Sequence, residues 1–163
     1  MQNFRRYAAV VAVFATVMYG ALVIAAFGFI SLYTDRDVID DPSVGPVVGP
    51  VMTGVAVLVV FATLLGIALG VPEERQRISL GVAFLVGFAA YFFFGVTGGI
   101  LVGAGRGDPF GFVAFLGRQL ISPFAGAAGV LGFVIAILFM LVLASKVGNK
   151  GRPRWPWEKD DEE

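Results

Sequence analysis

The chain has 163 residues, 58% of them hydrophobic and 15% charged, and a mean hydropathy of +0.85, values outside the range of an ordinary soluble domain. Its 12 basic and 12 acidic residues cancel, so net charge points to neither a nucleic-acid partner nor an acidic substrate. The absence of His and Cys removes disulfides, zinc, iron–sulfur and histidine-ligated haem centres, thiol nucleophiles and imidazole bases; the chain reads as a non-enzyme without a cofactor, with lipid as its solvent.

Four uncharged runs follow one another, at about 7–33, 47–70, 78–103 and 120–145, each long enough for the roughly 20 helical residues that cross a bilayer core. They are apolar all round, where a soluble bundle needs a polar face at a period near 3.6. The first run begins after Arg5 and Arg6 and is too long for the apolar region of a signal peptide, about 7 to 15 residues, so it stays as the first helix. The expected fold is an all-α membrane protein, a four-helix transmembrane bundle over residues 1–145 followed by a cytoplasmic tail, 146–163.

Gly49-Pro50 and Ser122-Pro123 each put a tolerated cap residue before a proline at a helix's first position, where the missing N–H costs nothing. Asp108-Pro109 has the same form, and residues 109–119, with Phe110, Phe112, Phe115 and Leu116, can make a short interfacial helix between spans three and four. The competing reading of that stretch is an irregular loop with aromatic anchors.

Orientation follows from the basic residues. With the N-terminus inside, Arg5, Arg6, Arg75, Arg77, Lys146, Lys150, Arg152, Arg154 and Lys159 are cytoplasmic and only Arg36, Arg106 and Arg118 are external, the bias expected for N-in, C-in topology in a bacterial plasma membrane.

Helices associate in lipid through close backbone approach at small side chains. Residues four apart give one candidate seam per helix: Ala8, Ala12, Thr16 and Gly20; Ala62, Gly66 and Gly70; Ala83, Gly87, Gly95, Gly99 and Gly103, interrupted by Tyr91; and Ala128, Gly132 and Ala136. Gly87, Gly95, Gly99 and Gly132 are the strongest packing candidates, for the bundle interior or for a homo-oligomer seam. The third seam is assigned to the interior.

No span holds an ionisable group, which argues against ion-coupled transport. A passive route for a neutral solute would have to use Thr16, Tyr19, Thr53, Tyr91 and Thr97, groups that more commonly bond to helix carbonyls. The acidic segment Asp35–Pro42 lacks the EF-hand arrangement, with Ile39 at a ligand position and Asp40 where the turn needs Gly, and reads as a solvated turn. Gly103–Gly107 resembles a phosphate loop only in its glycines. In the tail, Arg152, Arg154, Trp155 and Trp157 stand among prolines, an extended segment suited to contact with membrane lipid or with a membrane-protein partner.

The basic start, the long first span, the acidic loop leading into Val44-Gly45-Pro46-Val47-Val48-Gly49-Pro50, the Ser122-Pro123-Phe124 entrance and the tail Arg152-Pro153-Arg154-Trp155-Pro156-Trp157-Glu158 together resemble a family of small four-span actinobacterial membrane proteins classified only as a domain of unknown function. The resemblance covers nearly the whole chain and implies a plasma-membrane location, but no activity. The function expected from the sequence is that of a non-enzymatic accessory or scaffold protein acting through helix packing and the tail; a passive channel or carrier for a small neutral solute is the alternative.

Overall fold

A computed structural model describes residues 2–39, 45–71, 78–106 and 109–148. Five helices follow in order: α1 Gln2–Thr34, α2 Val48–Gly70, α3 Leu80–Arg106, α4 Pro109–Leu120 and α5 Pro123–Gly148. Four of them, all but α4, are long and apolar enough to cross a membrane. At 1.5 Å per residue the shortest of these, with 23 residues, is about 35 Å long and exceeds a core of about 30 Å.

Neighbours around the bundle run α1, α2, α3, α5 and back to α1, while α4 lies on α3. The end of the bundle that carries Thr34, Val48, Arg106 and Pro123 is called the upper end below. The core is a continuous set of buried side chains: Ala8, Ala12, Tyr19, Val23 and Phe27 of α1, Met52, Ala56, Val60, Leu64 and Ala68 of α2, Ala83, Val86, Ala90 and Phe94 of α3, and Ala125, Ala128, Ile135, Ala136, Phe139 and Leu143 of α5. The core thus mixes large side chains with alanines on every helix, a composition that lets four apolar helices pack tightly without a polar stripe to orient them.

Local chemistry sets the helix ends. Asp35 closes α1 in the left-handed conformation, φ 50°, which a short polar side chain tolerates at a helix C-terminus. The start of α2 lies two residues before the proline expected to open it, at Val48, anchored by Val48 N–H on the Gly45 carbonyl at 3.2 Å and Val51 N–H on the Val47 carbonyl at 3.1 Å. Pro50 then occupies the third helical position, where its missing N–H is again one of the unpaired first four. At the lower end, Lys146 in the last turn of α5 lies over the Tyr7 ring of α1, 3.9 Å from its centroid, a cation–π contact that also suits the negative end of the helix dipole.

One expected seam is corrected. On α2 the buried residues are Met52, Ala56, Val60, Leu64 and Ala68, whereas Ala62, Gly66 and Gly70 are exposed. The two sets are offset by two residues, or about 200° around a helix turning roughly 100° per residue, so the small stripe points away from the bundle. On this helix the buried face carries the larger residues Met52, Val60 and Leu64, with Met52 against Gly98 of α3, and not the smallest ones.

Candidate functional site

The segment between α3 and α5 is a helix, as the amphipathic pattern of residues 109–119 had suggested. α4 turns back along α3, placing Phe112 against Gly99 and Gly103, Leu116 against Gly95 and Gly99, and Leu120 against Gly95. α5 continues the same antiparallel path: Gly129 and Phe133 meet Gly87, and Gly132 meets Ala90, Gly87 and Val86. Thus α4 and α5 form one broken passage along a single face of α3, and the glycine register of α3 is its track.

The break has a chemical cause. Pro123 has no N–H for the Gln119 carbonyl, and its ring excludes a continuous helix at that point. The Gln119 carbonyl instead accepts the Ser122 N–H at 3.1 Å, and Ser122 caps α5 by accepting the Ala125 N–H on Oγ at 3.3 Å. The Leu120 carbonyl accepts the Tyr91 hydroxyl at 2.7 Å. Tyr91, the residue that interrupts the small register of α3, therefore sits where the opposing helix is interrupted.

Beside the break is a cleft of about 460 Å³ between the turn after α1, the end of α4 and the start of α5. Arg36, Asp37, Arg118, Gln119 and Ser122 supply its polar lining, and Val38, Ile39, Phe115, Ile121 and Phe124 its apolar lining. Gln119 is 6% exposed, and its Nε2 donates to the Val38 carbonyl at 3.3 Å, tying the turn after α1 to α4. Beneath, the Phe124 ring meets Phe27 edge-on at 5.4 Å and Phe27 meets Phe94 at 5.5 Å. Arg36 and Arg118 lie just beyond the spans that end at Thr34 and begin at Pro123. The lining presents hydrogen-bond donors, one carboxylate and two guanidinium groups beside an apolar floor.

The other residues singled out from the sequence fall as follows. Gly87 makes the tightest approach: a Cβ there would stand 2.6 Å from the Gly129 carbonyl oxygen. Gly95 and Gly99 contact α4 and Gly132 contacts α3, so all four face partners within the chain. Each of the five polar groups considered as a solute route donates to a backbone carbonyl: Thr16 to Ala12, Tyr19 to Ala128, Thr53 to Gly49, Tyr91 to Leu120 and Thr97 to Phe93. Among the described residues no buried side-chain polar atom lacks a hydrogen-bond partner, and no group of three or more acidic residues is placed to hold a metal ion. Arg152, Arg154, Trp155 and Trp157 lie outside the described residues, as do Asp40, Asp41 and Asp108. The cleft itself was missed by sequence reasoning, although Arg36 and Arg118, two of the three basic residues assigned to the upper side, were the signal for it.

Four long apolar helices in one bundle, with a fifth folded onto them, define a multi-pass membrane protein. The chain belongs, over residues 1–163, to a family of unknown function (DUF6121). It has no match among curated proteins or solved structures.

Proposed function

We propose that this protein is a non-enzymatic accessory or scaffold protein of the bacterial plasma membrane, with both termini in the cytoplasm, acting through its helix faces and its C-terminal tail. The observation that carries this reading is the continuous apolar core, in which the buried hydroxyls of Thr16 and Tyr19 are bonded to helix carbonyls. A passive carrier needs a polar path through the bundle, and a core closed by Tyr19, Phe94, Leu64 and Ile135, all fully buried, weighs against one. The lack of any His or Cys supports a non-enzymatic role.

Two measurements test the reading. Purification from mild detergent, with and without residues 150–163, is expected to recover a membrane-protein partner or a second copy of the chain, with the tail contributing to retention; recovery of the monomer alone in both cases counts against it. Proteoliposomes are expected to release small neutral solutes no faster than protein-free vesicles, and a saturable flux refutes the reading in favour of a carrier.

A further inference from the structure

We propose that the upper cleft is a lipid site: it holds the phosphodiester headgroup of a phospholipid in the adjacent leaflet, with Arg36 and Arg118 as its anion-binding groups. Three observations converge on this assignment. The first is charge. Of the described charged residues lining the cleft, two are guanidinium groups and one, Asp37, is a carboxylate. Guanidinium forks match the spacing of phosphate oxygens and are less strongly hydrated than ammonium groups. Ser122, whose Oγ accepts the Ala125 N–H, keeps its own hydroxyl proton as a further donor at the start of α5, where the helix dipole favours an anion.

The second observation is depth. Arg36 is two residues beyond the end of the first span, at the level where apolar helix gives way to polar loop, and Arg118 lies lower on the same side, on the turn of α4 between Leu116 and Leu120 that packs beside Gly95 and Gly99. Phosphate groups of a bilayer lie at the level of that boundary, and arginine stems extend to it along apolar surface. The third is the apolar remainder of the lining. Phe115, Ile121 and Phe124 form a wall that a free inorganic anion has no use for, whereas the glycerol and first methylenes of a lipid bury against it. Lower on the same α1–α5 seam is an apolar groove of about 390 Å³, bordered by Phe14, Met18 and Ala21 on α1 and Ile135, Leu138 and Val142 on α5. Ala21 is six residues below Phe27, about 9 Å along the helix, within the length of an acyl chain whose headgroup is held above.

The assignment is independent of the scaffold reading and of the tail, which follows α5 in the sequence and supplies none of the described lining residues. The test is native mass spectrometry of the full chain in mild detergent, titrated separately with dioleoyl phosphatidylglycerol and with inorganic phosphate. The wild type is expected to retain one phosphatidylglycerol through activation energies that strip non-specific lipid. Arg36→Gln and Arg118→Gln should each weaken retention about tenfold, the loss expected for a charged hydrogen bond, and the double variant should abolish it. Arg5→Gln/Arg6→Gln at the lower end should leave it unchanged. Both arginines are exposed, and a monodisperse elution profile for each single variant verifies folding before its lipid content is read. Retention by the double variant at the wild-type level, or equal loss in the Arg5/Arg6 variant, overturns the proposal. Saturation of the cleft by inorganic phosphate, with phosphatidylglycerol no better a ligand, also overturns it and leaves a site for a free anion.

Discussion

The crossing of α3 and α5 at Gly87 gives the most demanding test of the packing. A methyl group at Gly87 would meet the Gly129 carbonyl oxygen at 2.6 Å, Phe133 Cβ at 2.9 Å and Phe133 N at 3.0 Å. Two of those three atoms are backbone, so relief requires the helices to separate by about 0.8 Å to reach ordinary contact. Such overpacking costs about 1 to 3 kcal/mol, or roughly one to two orders of magnitude in the folding equilibrium. Unfolding by SDS titration in mixed micelles, followed by circular dichroism, measures it. Gly66→Ala is the matched control: it makes the same chemical change on α2, where a Cβ meets nothing within 4 Å, and should be neutral or slightly stabilising because alanine is the better helix former. Gly98→Ala should be intermediate. Its nearest atoms, at 2.7 to 2.8 Å, are Cε and Sδ of Met52 and Cε1 of Phe115, and a thioether side chain can rotate away where a backbone cannot. If Gly87→Ala unfolds at the same SDS fraction as Gly66→Ala, the α3–α5 crossing is wrong.

Tyr91→Phe leaves the Leu120 carbonyl without its hydroxyl partner and should cost about 0.6 to 1 kcal/mol, with faster amide exchange at the α4–α5 break as the local readout. Tyr19→Phe removes the bond to the Ala128 carbonyl at a similar cost of about 0.6 kcal/mol, whereas Tyr19→Ala opens a cavity in the core at about 3 to 5 kcal/mol; both are read in the same titration. The natural absence of cysteine makes topology directly testable: a single cysteine at Asp35 should react with a membrane-impermeant maleimide on intact cells, and one at Glu158 only after permeabilisation. The reverse pattern refutes the orientation drawn from the basic residues.

The four spans were legible because bilayer thickness imposes a length that few apolar segments reach by chance. The α3 and α5 seams were legible because close approach admits only small residues, and Gly87 and Gly132 meet at that crossing. The same rule failed on α2. Small residues permit close approach without requiring it, and Ala62, Gly66 and Gly70 are exposed while Met52, Val60 and Leu64 are buried, Met52 against Gly98 of α3. In a helix apolar on every side, the sequence alone carries little to say which face is turned inward.

The cleft was harder to read because it depends on a tertiary coincidence. Ser122-Pro123 marks a helix start, but it does not reveal that α4 runs down the face of α3 and meets α5 end to end. That arrangement needs the glycines of α3 to continue past Tyr91 under α4. It also needs Tyr91 to bond to the carbonyl that the break exposes, and Gln119 to hold the turn after α1. Had the passage been one unbroken helix, Arg118 would lie on a continuous surface with no recess beside it. The proline that ends the helical hydrogen bonding thereby makes a cleft that combines charged side chains from α4 and the turn after α1. The break at Ser122-Pro123 is thus the means by which Arg118 of α4 comes to share a cleft with Arg36 of the turn after α1.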